Sequence, residues 1–494
     1  LSGIQHEPEW WRRLYAALEP LAVDALAAEE LASIPVPLAD GRTVTGPRTV
    51  LLGHDIDGIL GVHWTRLVHP DAAHPLLSRL GAKTATAADL LADPALRAEI
   101  EDLGHDDMAE AEELAAVVLA LAGRAEPGTL PSWLGQLLLP DVDGELRGAD
   151  ELLLPGAPLA DVLVEDSPFS CVDSAFAERV GEDALRAVGV GWGFTVFRAE
   201  LPTGPDHDLD DEDLWWDTLD DDPDAIEAVR DLDLVDENHW RQALTMLAQD
   251  PSTRPLLADR GGYTAWWLRR HAELDGQVLG LLAEPGDGTF AGLLDAADHP
   301  ESSVFAAALA PSVVDSPELA QLLLDRLADP LRHPTPAVTV RTHSLLAAAD
   351  AAQVLDLEDL DLPERVRSLT GALVDPRDAL VLDKPWFAAV VPPERLVVGS
   401  LDTAEALADL LDISCASATI RGVVTSAGRE TSWDREPSVV LALTVLGRPV
   451  PTGKILVHPR LTVTLAGAVV DTDVVVPCWV DGDGTTHWSE SHDR

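Results

Sequence analysis

Ile34-Pro35-Val36-Pro37-Leu38-Ala39-Asp40-Gly41-Arg42-Thr43-Val44 decides the fold class. Two extended apolar runs flank Asp40-Gly41, and the turn between them needs positive φ, which glycine adopts without steric cost. The stretch predicts a β-hairpin. Thr49-Val50-Leu51-Leu52 follows as another strand, stopped at Gly53. Further along, Leu139-Pro140-Asp141-Val142-Asp143-Gly144-Glu145-Leu146 runs into Leu152-Leu153-Leu154-Pro155-Gly156. Pro37, Asp40, Gly41, Leu51 and Gly53 fall on Pro140, Asp143, Gly144, Leu154 and Gly156 at one offset. That match reads as a degenerate internal repeat, against the alternative of two unrelated hairpins sharing turn chemistry.

Outward from the hairpins the apolar spacing is helical. Trp11, Leu14, Tyr15 and Leu18 follow Pro8 at i, i+3, i+4, i+7, and Pro20 ends that helix before a short one reaching Leu31. Helices are expected over residues 72–80, 86–92, 94–103 and 107–121, the last capped by Asp106 or Asp107. Helical periodicity returns over residues 238–248, 263–274, 317–327 and 403–411, with Asp402 as the last N-cap. Residues 439–445, 461–465, 469–476 and 478–480 read as strands of a β-meander. The expectation is a multi-domain α+β chain. Its modules span 1–165, 166–330 (mainly helical, with an acidic loop at 206–224) and 331–494, which ends in a small antiparallel sheet.

The 494 residues include 86 Asp and Glu against 34 Lys and Arg, a formal net charge of −52. Such a chain repels phosphate backbones and anionic lipid, so neither nucleic acid nor a membrane surface is an expected partner. No apolar run approaches the ~20 residues of a membrane span, and no signal-peptide pattern opens the chain. Lysine-poor, Ala-, Leu- and Arg-rich usage fits a high-GC bacterium, or else a salt-adapted host. Cys171, Cys415 and Cys478 are too scattered for a disulfide framework and read as buried thiols in a reducing cytoplasm. The first residue, Leu1, reads as the start of a fragment of a longer protein.

Several motifs invite chemistry. Leu51-Leu52-Gly53-His54-Asp55-Ile56-Asp57-Gly58 looks like the nucleophile loop of haloacid-dehalogenase-type phosphatases, in which Asp55 would attack phosphorus and Asp57 act as acid/base beside Mg²⁺. Ile59 stands where that family has Thr, so a Mg-dependent hydrolase is an alternative function and a polar turn the plainer reading. His54, His63, His69 and His74 cluster without HExxH or HxH spacing, and no metal site is expected there. Asp206, Asp208 and Asp210 have the opening spacing of a Ca²⁺ loop, but Asp211 replaces its Gly and Asp217 its bidentate Glu. No P-loop, GxGxxG or GxSxG occurs, so no catalytic residue and no cofactor is assigned. Trp10-Trp11, Trp215-Trp216 and Trp266-Trp267 read chiefly as packing anchors. Trp215 and Trp216, within the acidic run, are the candidate partner-binding residues.

Trp10-Trp11-Arg12-Arg13-Leu14-Tyr15, residues 34–41, residues 66–77, residues 139–158, Tyr263-Thr264-Ala265-Trp266-Trp267-Leu268-Arg269-Arg270-His271 and Cys478-Trp479-Val480-Asp481-Gly482 carry a resemblance. Through them the chain resembles actinobacterial sacsin-like proteins with a heat-shock-type (GHKL) ATP-binding domain near the N-terminus. The resemblance implies that this chain is similar to the region following the ATPase domain, built of sacsin-type repeat modules. Such an ATPase needs a helix bearing catalytic Glu and Mg²⁺-binding Asn, a DxGxG turn and a Gly-rich lid. None stands in this sequence, and Asp481-Gly482-Asp483-Gly484 lacks the surrounding elements. The implied role is therefore a non-catalytic, cytoplasmic, chaperone-like region that contacts a protein client or the neighbouring ATPase domain. A purely structural scaffold is the third reading, and the oligomeric state stays open.

Overall fold

The computed structural model describes residues 6–22, 29–56, 58–104, 108–126, 128–467 and 470–490. Asp57, the capping pair Asp106 and Asp107, and part of the strand expected at 469–476 lie outside them. Helices and small sheets alternate along the chain, an α+β architecture. Two compact units divide it, Leu1–Thr253 and Arg254–Arg494. Among the described residues, no helix is long and apolar enough to cross a membrane.

In the first unit the hairpins pair as the sequence predicts. Pro35–Pro37 runs antiparallel to Thr43–Thr45, and Leu138–Pro140 to Leu146–Gly148, with Val36 opposite Val44 and Leu139 opposite Arg147. Their turns close identically: Leu38 N–H donates to the Arg42 carbonyl and Gly41 N–H to the Leu38 carbonyl, as Asp141 and Gly144 do with Glu145 and Asp141. Gly41 and Gly144 sit at φ 82° and 79°, the left-handed position of a three-residue hairpin loop. After each hairpin a single 3-10 turn leads into a short strand, Leu51–Gly53 or Leu152–Leu153. Here the single offset fails. Pro47–Thr49 corresponds to Ala149–Glu151, one residue out of step with the hairpins, so Leu51 does not superpose on Leu154. The first copy carries one extra residue between hairpin and turn.

That short strand is the centre of each copy, held between parallel neighbours. Leu51–Gly53 pairs with Lys83–Ala85 and bridges to Leu67, while Leu152–Leu153 pairs with Ser170–Cys171 and bridges to Gly191. The segment between those neighbours is helical and ends the same way in both copies. Ala82 N–H reaches back to the Leu77 carbonyl, and Val190 N–H to that of Leu185, over Gly81 and Gly189 at positive φ. This is the six-to-one closure of a helix C-terminus.

The second unit contains the motif twice more, unforeseen from sequence. Glu273–Leu274 and Gln277–Val278 form a hairpin around Asp275-Gly276, both at positive φ, followed by the 3-10 turn Leu279–Leu281 and a parallel bridge from Ala283 to Ala296. Leu274 is thus a strand residue; the helix expected to reach it ends at His271. Val366–Arg367 and Leu373–Val374 form the other hairpin, with Gly371 at φ 85°. Its central strand Leu380–Val381 pairs in parallel with Leu396–Val397 and bridges to Cys415. The intervening helix Ala404–Leu411 closes over Asp412, with Ile413 N–H donating to the Ala408 carbonyl. Thr403, not Asp402, is its N-cap residue.

Gly144→Ala is expected to lower stability by about 1 kcal/mol, the strain of an L side chain in the left-handed region. An added Cβ meets nothing within 4 Å, so an unchanged urea midpoint would contradict the assigned turn.

The acidic run is more ordered than a solvated loop. Glu212–Trp216 is helical, and buried Glu212 accepts from His207 Nδ1 at 2.5 Å and from His207 N–H at 2.9 Å. A carboxylate that gains two donors and a following buried Trp can fold a segment that its net charge opposes. The remaining carboxylates still repel one another, so the melting temperature is expected to rise from low salt to about 0.15 M NaCl, where the screening length is about 8 Å. A flat or falling midpoint would contradict this.

Candidate functional site

The carboxy-terminal sheets gather the side chains with the most chemistry. Gly422–Val424, Thr462–Leu465 and Thr472–Val475 make a three-stranded antiparallel sheet. Arg429–Ser432, Lys454–His458, Thr486–Ser489 and Cys478–Val480 make a four-stranded one whose central pair, Lys454–His458 with Thr486–Ser489, is parallel. The expected meander is therefore two sheets with one parallel crossover. Leu456 lies opposite His487, and His458, two residues on, shares its face. The rings of His458 and His487 consequently meet.

Both histidines are buried, His458 at 1% exposure. Ser426, in the turn before Arg429–Ser432, places Oγ 2.9 Å from His458 Nδ1. His458 Nε2 lies 2.9 Å from His487 Nδ1, and His487 Nε2 lies 2.9 Å from Asp481 Oδ2. Asp481 stands at the hairpin tip, where its N–H donates to the Thr485 carbonyl. One proton arrangement satisfies every member: His487 donates to the carboxylate, His458 donates to His487, and Ser426 donates to His458. Ser426 Oγ in turn accepts from Thr462 N–H at 3.0 Å. Burial, and then the neighbouring His487, hold His458 below its ordinary pKa, so it is a neutral base at neutral pH. Gly428 lets the chain pass over the relay, since a Cβ there would stand 2.5 Å from His458 Nε2.

Beside this relay stands the helix Pro437–Val445, where the sequence reading expected a strand. Pro437 presets the first helical turn, and the Glu436 carbonyl accepts from the N–H groups of Val439 and Val440. Val439 is buried, yet Leu441, Val445 and the following Leu446 are 66, 77 and 71% exposed. No charged residue occurs between Pro437 and Leu446. A helix without a charged face is normally covered.

No family model, curated protein or solved structure matches this chain.

The residues singled out from sequence are dispersed. Trp215 is buried at 4% exposure, and Trp216 is half-buried with its indole N–H donating to Asp222 at 3.3 Å. The rings meet edge to face at 6.0 Å, so of this pair Trp216 alone keeps a face toward solvent. Asp55 is exposed in a turn at φ 59°, 3.3 Å from His54. The other histidines of that cluster are occupied locally. His63 contacts Glu99 at 2.6 Å, while Nδ1 of His69 and of His74 accepts a backbone N–H two residues on. Asp206 pairs with His207 and Asp208 with Arg230. The cysteines are less buried than expected: Cys478, on a strand facing outward, is exposed, and Cys171 and Cys415 are half-buried.

A cleft of about 290 Å³ in the second copy of the motif is lined by Asp150, Asp231, Arg230, Gly189, Gly191 and Phe194, among others. Burial raises the pKa of both carboxyls, and Glu151 near Asp150 adds to the effect.

Sequence reasoning missed the relay because its four members are separated by strands and turns. The single signal available was His458 and His487 at apolar-strand positions.

Proposed function

We propose that this chain is an interaction region of a sacsin-like, chaperone-type protein, binding apolar segments of a non-native protein client. Any ATP-driven step belongs to a separate domain. The observation that carries this reading is the exposed apolar side of the helix Pro437–Val445, with Leu441, Val445 and Leu446 presented to solvent. Large apolar exposure on an otherwise strongly acidic protein marks an interaction site. The −52 charge keeps such a surface from self-association and steers basic partners toward it. Within each unit, two copies of the hairpin-and-strand motif supply a scaffold.

The test is suppression of aggregation of a thermally unfolding enzyme by the full chain and by a Leu441→Asp/Val445→Asp variant. Both side chains are exposed, so the variant retains its fold and is expected to lose most of the suppression. Equal suppression by the two proteins would overturn the reading. Calorimetric titration with MgATP is expected to give no micromolar binding to this chain, and measurable micromolar affinity would contradict the separate-domain assignment.

A further inference from the structure

The hydrogen-bonded series Ser426, His458, His487, Asp481 is not needed for client binding, and its order is that of an activated hydroxyl. We infer that Ser426 is a nucleophile served by His458 as general base, acting on small activated acyl esters. Three features of the geometry argue for it. Ser426 is a half-exposed residue while the base behind it is buried, so the serine stands at the open end of the series and water cannot surround the imidazole. His458 Nδ1 is 2.9 Å from Oγ, within the reach required of a base, and its other nitrogen is fixed by His487, itself fixed by Asp481. The N–H groups of Ala427 and Gly428, directly after the serine, donate to no acceptor among the described residues, which leaves two backbone donors beside the nucleophile for a developing oxyanion.

The step balances as an ester hydrolysis. Ser426 Oγ forms a bond to the acyl carbon as its proton passes to His458 Nδ1. The imidazolium is stabilised through the His487 hydrogen bond toward the Asp481 carboxylate. The bond from the acyl carbon to the leaving oxygen breaks, and that oxygen takes the proton from His458 Nδ1. Water then attacks the acyl-serine by the same route, giving back the acid and the free hydroxyl.

The experiment treats the full chain with a fluorophosphonate probe, then measures p-nitrophenyl acetate hydrolysis. The expected result is one adduct on the peptide containing Ser426. Ser426→Ala should abolish the adduct and lower ester turnover by about a hundredfold or more, the usual share of a positioned base and nucleophile. His487→Gln and Asp481→Asn should slow labelling, while circular dichroism shows Ser426→Ala folded like the parent, with a midpoint lowered only by its lost bonds to Thr462 and His458. An unlabelled parent protein, a label elsewhere, or labelling that survives Ser426→Ala would overturn the assignment. Client suppression by Ser426→Ala should be unchanged, which separates this outcome from failure of the interaction reading.

Discussion

Asp141→Ala is expected to destabilise the first unit by about 2–3 kcal/mol, because it leaves donors of the turn without an acceptor while the half-exposed Arg147 turns to water. The Asp141 carboxylate is buried in the second hairpin's turn. It accepts from the N–H groups of Asp143 and Glu145 at 2.9 Å each, from Arg147 Nε at 2.8 Å and from Ser170 Oγ at 3.2 Å. Those donors tie the turn, the returning strand and the parallel neighbour Ser170–Cys171 to one side chain. Burial alone would raise its pKa, but the bonds from Glu145, Arg147, Asp143 and Ser170 together outweigh it and hold the carboxyl below the usual range. Its stabilisation is therefore present above the ordinary carboxylate pKa and is lost as pH falls through the lower folded value. Urea unfolding of the full chain, followed by tryptophan fluorescence, measures the loss. A change below about 1 kcal/mol, the net worth of a single ordinary hydrogen bond, would refute the role given to Asp141.

Acid should weaken the second unit well before carboxylates titrate. His343, on the helix Pro336–Ala351, is buried and donates from Nδ1 to the Val398 carbonyl at 3.1 Å. Burial pulls its pKa down from 6.5 to about 4; the bond to Val398 opposes this, and the Arg367 guanidinium adds to it. The folded protein thus keeps this ring neutral where the unfolded chain takes up a proton. Stability is full above the unfolded pKa and falls as pH drops, by about 3 kcal/mol at pH ~4. His458, also depressed by burial, contributes with the same sign. His343→Gln keeps a donor for Val398 and should remove most of the slope. An equal slope in the variant would show that His343 is not its source.

The first two copies of the motif were legible because Asp40-Gly41 and Asp143-Gly144 announce their turns. The other two were not. Glu273–Leu274 and Val366–Arg367 are two residues long, too short for period-two alternation to register. Trp267, His271 and Leu274 also continue a helical spacing past the point where Asp275-Gly276 turns the chain. Parallel pairs such as Leu380–Val381 with Leu396–Val397 depend on contacts across a whole intervening segment and carry no local signature. Residues 439–445 read as strand because they run apolar between chain breaks, but Pro437 and the Glu436 carbonyl start a helix first. The relay was invisible for a plainer reason. Ser426 and Asp481 become neighbours of the two histidines only through the register that sets Leu456 opposite His487.

Site-specific photo-crosslinking tests the interaction account most directly. A photoreactive residue replaces Leu441 in the exposed helix or, in a control protein, Leu331, which is 83% exposed and lies in a loop. Each protein is irradiated with a thermally unfolding client. The account predicts client adducts from position 441 that grow as the client unfolds, with few from position 331. Equal yields from both positions, or none from 441, would contradict it.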